Sequence, residues 1–174
     1  MTRMLDRRRR KAATVGAAAF AILALGVAST AKPVPLLVYN ASASAPIGFY
    51  RRAGGPIDRG DFVLARLPEP VAHFAAERGY LPMSVPVVKR VAALPGDIAC
   101  AETGSIKING DPVADALPMD RQGRPLSPWN ECRPLVTGEV FLLMAGVRAS
   151  FDGRYFGPIG RAAILGRLVP LWTW

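Results

Sequence analysis

One histidine and two cysteines are all that this 174-residue chain offers of the side chains most used to hold transition metals. Cys100 and Cys132 stand apart with no C-x-x-C spacing, and two thiols with His73 fall short of a four-ligand zinc site. The sequence therefore predicts neither a metal nor a cofactor. The scarcity of histidine also narrows nucleophilic catalysis. His73 lies in A-H-F-A-A-E-R-G, a short helical segment after Pro70, and reads as a surface or structural residue, so no Ser-His-Asp triad can be assembled. Acidic residues are few as well, 13 against 22 basic ones, giving a net charge of +9. That excess is local. Arg3, Arg7, Arg8, Arg9, Arg10 and Lys11 against Asp6 supply five of the nine charges before residue 12, and no later segment strings basic residues among aromatics. A nucleic-acid surface is excluded on that pattern. Repeats and low-complexity tracts are absent beyond the N-terminal segment.

The basic tail gives way to a run without charge. Ala12 to Ala31 covers 20 residues, and at about 1.5 Å per helical residue it spans roughly 30 Å, the thickness of a bilayer core. Six basic residues before the run, against the single Lys32 just behind it, orient residues 1–11 to the cytoplasm and the remainder outside. The run is rich in alanine, and Ser29-Thr30-Ala31 resembles a small-residue cleavage site, so a transmembrane signal-anchor and a removable signal peptide both fit. The expected organisation is a basic cytoplasmic tail (1–11), an anchor or signal segment (12–31) and an exported domain (32–174). In an oxidising compartment Cys100 and Cys132 favour a disulfide, worth about 3 to 4 kcal/mol on the chain-entropy account.

The exported part reads as mainly β, built of short antiparallel strands with one or two short helices. Lys32-Pro33-Val34-Pro35 is a stiff spacer. Strands are expected at Leu36 to Tyr39, Phe49 to Arg52, Asp61 to Leu67, Val87 to Leu94, Ile98 to Ala101, Ser105 to Ile108, around Val113 after the Asn109-Gly110 turn, Glu139 to Met144 and Ala162 to Leu171. Val71 to Arg78 is expected to be helical. The polar, proline-rich stretch from Leu117 to Pro134 is expected to be a long loop tied at its far end by Cys132.

Asn40 to Tyr50, N-A-S-A-S-A-P-I-G-F-Y, joins two hydroxyls spaced by one residue, Ser42 and Ser44, to a Pro46 and a Gly48 that fix the backbone. Without a usable histidine, a serine nucleophile needs another base, and lysine serves in convergent variants. A solvated lysine is a poor base, since neutrality at pH 7 costs roughly 4 to 5 kcal/mol from its reference pKa of about 10.4. Burial lowers that pKa by several units. In V-P-V-V-K-R-V-A-A-L, strand alternation puts Val87, Lys89 and Val91 on one face, whereas Lys107 alternates in a hairpin and Lys32 lies just beyond the apolar run.

These residues resemble the type I signal peptidases, and within them the TraF-type conjugative transfer peptidases. S-A-P-I-G-F-Y at 44–50 is similar to that family's nucleophile box, K-R-V-A-A-L-P-G-D at 89–97 to its lysine box, and S-F-D-G-R-Y-F-G-P-I at 150–159 to its C-terminal box, in the same order. The resemblance implies Ser44 as nucleophile and Lys89 as general base. It implies an oxyanion hole from the Ser44 backbone N–H and the Ser42 hydroxyl, with Ser150 orienting the lysine and Asp152 pairing with Arg154. The family carries G-D-N-R-D-N before the third box, and A-G-V-R-A stands here instead. The implied substrate is an exported precursor, pilin-like in the TraF subfamily, with small residues before the scissile bond. The implied setting is the inner membrane with the catalytic domain in the periplasm, among other conjugation components. The product is either cleaved or, through attack by the substrate's own amine, cyclic. A general housekeeping signal peptidase and a non-catalytic scaffold of an envelope secretion apparatus are the alternatives.

Overall fold

β-Branched and aromatic residues at alternate positions, interrupted by glycine and proline, favour strands, and most of the regular structure in residues 35–174 is β. The structure is a computed structural model that describes residues 13–26 and 34–174. Residues 13–26 form a helix, α1, with exposed side chains. The expected membrane segment 12–31 extends past this helix at both ends, and those positions, like the basic tail 1–11, lie outside the described residues. Among the described residues no helix is long and apolar enough to cross a membrane. The helix and the remainder, Pro35–Trp174, are separate compact units.

The second unit contains two antiparallel sheets. The larger has seven strands, in the spatial order β1 (Leu37–Asn40), β2 (Gly48–Ala53), β11 (Ile164–Thr173), β3 (Phe62–Ala65), β4 (Val87–Ala93), β9 (Glu139–Leu142) and β10 (Ile159–Gly160). The smaller runs β7 (Asp111–Asp115), β6 (Ser105–Ile108), β5 (Ile98–Glu102) and β8 (Cys132–Pro134). Helix α2 (Glu69–Glu77) joins β3 to β4, and α3 (Gly153–Phe156) precedes β10. Val63, Ala65, Val91, Val140, Leu142, Ile57 and Ile159 form one buried cluster on the large sheet. Phe141 and Leu143 instead join Ala93, Ala99, Ile106, Ile108 and Leu135 in a second cluster that includes the small sheet. Successive residues of β9 thus serve two cores, as strand alternation requires.

Two expectations are corrected, and one element is added. The stretch Leu117 to Pro134 is not loop throughout, because β8 pairs with β5 through Ala99↔Arg133 and Cys100↔Cys132, and the disulfide Cys100–Cys132 sits in that pairing. The strand expected at Asp61 to Leu67 is only Phe62–Ala65. Pro68 lacks an N–H for the ladder, and the Arg66 amide already turns to Ala163 O at 2.9 Å. The segment after Ser150 holds a helical turn that its short length concealed: Asp152 caps α3 by accepting the Arg154 amide. His73 is exposed on α2, as expected.

Gly48 is required by its place in the sheet. Its φ is +140°, and a Cβ there would lie 2.8 Å from Thr173 Cα on the neighbouring β11 and collide with the Trp172 carbonyl. A glycine at this point lets the C-terminal strand close against the chain leaving the serine loop.

Candidate active site

The serine loop, residues 41–47, links β1 to β2 at the edge of the large sheet. Asn40, the last residue of β1 and only 7% exposed, holds it from beneath. Its Nδ2 donates to the carbonyls of Ser42 (2.9 Å), Ala45 (3.1 Å) and Pro46 (3.0 Å), while its Oδ1 accepts the Ser42 amide at 3.2 Å. Tyr50, fully buried, donates its hydroxyl to Pro46 O at 2.6 Å. Burial raises the Tyr50 pKa, an effect opposed by the Arg90 charge, so the phenol stays a donor. On this base Ser42 Oγ and Ser44 Oγ are 2.9 Å apart, and the Ser44 amide donates to Ser42 Oγ at 3.2 Å. The two groups expected to form an oxyanion hole therefore engage each other.

The sequence pattern assigned no role to Asn40, although that residue opens the motif. An asparagine ending a strand before a turn offers both a donor and an acceptor to local backbone, which is the signal that identifies it. Asn40→Ala removes donors from three carbonyls, so we expect a loss of about 1 to 3 kcal/mol in urea unfolding. We also expect a fall of at least about tenfold in kcat with little change in KM, because only the placement of the serine changes. Unaltered kcat in a loosened fold would contradict this role.

Lys89 lies in β4 opposite Val63, 2% exposed, with its Nζ donating to Ser150 Oγ at 2.8 Å. Val88 and Val91 beside it are buried, and Arg90 points outward with its guanidinium 4.1 Å from the Phe62 ring centre. Burial depresses the Lys89 amine from its ordinary 10.5 to about 8, Asp152 works to raise it, and Arg154 to lower it. Lys107, by contrast, pairs with Glu102 at 2.7 Å on a partly exposed hairpin.

Asp152 and Arg154 are not a surface pair. They are 0% and 1% exposed, with Arg154 Nε 2.8 Å from Asp152 Oδ1 and Nη2 3.0 Å from Oδ2. Oδ2 also accepts the Met144 amide at 3.0 Å. The guanidinium spends its remaining N–H bonds on the carbonyls of Met144, Val147, Arg148 and Asp115 at 2.9 to 3.2 Å. This answers the departure at A-G-V-R-A: its backbone carbonyls, rather than side chains, complete the polar network. Ser150 comes directly after it, 1% exposed, its amide bonded to Val147 O at 3.1 Å.

Ser42, Ser44 and Lys89 line a single cavity of about 680 Å³ together with Val87, Ala149 and Phe151. Ser44 and Lys89 direct their hydrogen bonds to Ser42 and Ser150 respectively. Residues 9–173 match the family described as signal peptidase, peptidase S26. This chain belongs to the S26 signal peptidases. Among its relatives, the plasmid transfer protein TraF of Escherichia coli is 33% identical across the whole of both chains. The probable conjugal transfer protein TraF of Sinorhizobium fredii (strain NBRC 101917 / NGR234) is 34% identical, with 92% of this chain and 89% of that one aligned. A crystal structure of a signal peptidase I from Enterococcus faecalis V583 overlaps 67% of this chain and 100% of its own, at 18% identity and a TM-score of 0.41. In this S26 chain the three boxes converge from β1–β2, β4 and the turn before α3, elements far apart in sequence.

Proposed function

We propose that the protein is a membrane-bound serine endopeptidase that cleaves a signal or leader segment from an exported, pilin-like precursor, with Ser44 as nucleophile and Lys89 as general base. The observation that carries this reading is the buried Lys89 amine, its pKa lowered by burial to about 8, sharing a cavity with Ser44. As Ser44 Oγ attacks the scissile carbonyl carbon, its proton passes to neutral Lys89, which Ser150 orients. The developing oxyanion takes the Ser44 N–H and the Ser42 O–H, displacing the bonds those groups now make to each other. Collapse breaks the C–N bond, the Lys89 ammonium returns its proton to the leaving amine, and an acyl-enzyme remains. Attack by water gives a shortened chain, and attack by the substrate's own amine gives a cycle. Neither step calls on a metal or cofactor.

The conjugative context rests on the TraF relatives, and the membrane setting on the uncharged segment 12–31. A further support is the exposed apolar set near the serine loop: Leu36, Leu37 and Tyr39 on and before β1, Phe49 on β2, and Leu171, Trp172 and Trp174 at the C-terminal end. Such a patch, with indole and phenol rings, suits the headgroup region of a bilayer.

The test is mass spectrometry of a pilin-like precursor incubated with the wild-type chain and with Ser44→Ala. Wild type is expected to yield either the cleaved mass or that mass less one water, and Ser44→Ala the intact precursor. Equal processing by both would exclude the serine mechanism, and an intact precursor with both would favour a scaffold.

A further inference from the structure

The cavity shared by Ser44 and Lys89 has a second wall that the proposed chemistry leaves unused. It is made by the end of α2 and by the segment 117–126, which folds on itself through Leu126 N to Pro118 O and Asp120 N to Arg124 O. Asp120 fastens this segment to the residues that follow α2. Its side chain, 6% exposed, accepts the Tyr80 hydroxyl at 2.5 Å, Arg124 Nε at 2.7 Å, and the amides of Gln122 and Arg124 at 2.8 and 3.0 Å. Its burial disfavours the charge, and these hydrogen bonds outweigh that and hold its pKa well below the usual carboxylate range. The carboxylate is thus fully committed.

Arg78 stands beside it in a long ion pair, its side chain 21% exposed. Its Nη1 is buried, makes no hydrogen bond among the described residues, and lies 3.6 Å from Asp120 Oδ2. The guanidinium rests over the Phe74 ring, 4.4 Å from its centre, a cation–π contact that helps hold it in place. Arg121 is exposed on the same wall, and Asp120 is the sole acid among the described cavity-lining residues. Three arginines facing one acid leave this wall two positive charges in excess, in a cleft that concentrates their field.

We propose that this wall is a carboxylate-binding subsite, with Arg78 as its anchor and Arg121 at its rim, that selects acidic substrate segments. The inference rests on the peptidase reading for the identity of the ligand as a polypeptide. A guanidinium fork held against an aromatic ring matches the two oxygens of a carboxylate. In a peptide that group is either an Asp or Glu side chain or the free C-terminus, and one chemistry serves both.

The test reads binding rather than turnover. Full-length Ser44→Ala chain in detergent micelles is titrated with fluorescein-labelled, alanine-rich decapeptides that carry Glu or Gln at a single varied position, each with a free or an amidated C-terminus. At least one carboxylate-bearing peptide is expected to bind about tenfold tighter than its neutral counterpart. The preference should shrink as salt rises from about 0.05 to about 0.5 M. The Glu/Gln contrast identifies a side chain as the source, and the acid/amide contrast a chain terminus. Adding R78Q should abolish the preference and R78K should restore part of it. R121E, at an exposed position, should reduce or reverse it and guards against an unfolded R78Q. Equal binding within every pair, or a preference undiminished in R78Q and R121E, would overturn the proposal. Wild-type turnover of the same peptides is a separate readout. Cleavage by Ser44→Ala would dismiss the serine mechanism and leave the binding contrast to judge Arg78.

Discussion

Lys89→Met is expected to lower the rate of precursor processing by about 10⁴-fold or more, the loss seen when one member of a nucleophile–base pair is removed. The wild-type pH profile should carry the signature of the same group. With the amine at about 8, activity should rise roughly tenfold per pH unit below that value and level off above it, as neutral Lys89 accumulates. Stability should move in the same direction. Between about 8 and 10.5 the unfolded chain holds a proton on Lys89 that the folded chain has released, so unfolding free energy rises with pH across that window. Below about 8 both states are protonated, and the folded state bears the full cost of a buried ammonium. The integrated change is on the order of 3 kcal/mol from pH 7 to 11, and it should be missing from Lys89→Met. Urea unfolding of both proteins across that range measures it. A wild-type minus variant difference that stays flat would mean that the amine is solvated, and one that falls with pH would mean that the fold stabilises the ammonium; either overturns the lowered pKa.

How much of the fold and site is legible in the sequence depends on the range over which each feature is decided. Strand alternation correctly marks Lys89 as buried among valines because a single strand carries that information. It cannot show that Val88, on the opposite face, is also buried, since β4 lies in the middle of the large sheet between β3 and β9. The short strands and the turn at Asn109-Gly110 are legible from local chemistry, Asn109 adopting the positive φ that such a turn demands. The strand β8 is not, because a three-residue segment with Pro134 acquires its ladder only from β5 and the disulfide. Asp152 and Arg154 look like a solvated pair two positions apart. Their burial is set by the carbonyl of Asp115, 39 positions from Arg154, and by the backbone of 144–148. The second cavity wall is equally hidden, for Tyr80 meets Asp120 across 40 positions.

Arg154→Met should be the most destabilising single substitution in the site, by about 3 to 5 kcal/mol, since it strands the Asp152 carboxylate in a dry interior and strips donors from four backbone carbonyls. Asp152→Asn should cost less on its own, because the amide still accepts hydrogen bonds, although it leaves the guanidinium without a counter-charge. The double variant should recover part of the loss, and a coupling of at least about 2 kcal/mol in urea unfolding is the expected result of that cycle. Additive losses would mean that the two side chains act through their backbone contacts alone. A second readout tells an electrostatic partnership with Lys89 from simple bracing. Asp152 raises the lysine pKa and Arg154 lowers it, so the midpoint of the pH–rate profile should move down in Asp152→Asn and up in Arg154→Met. For a variant that only loosens the fold, both midpoints would drift together toward the value of a solvated lysine. Opposite displacements would therefore mean that this buried pair sets the charge state of the base as well as its position, and displacement in a common direction would reduce it to scaffolding.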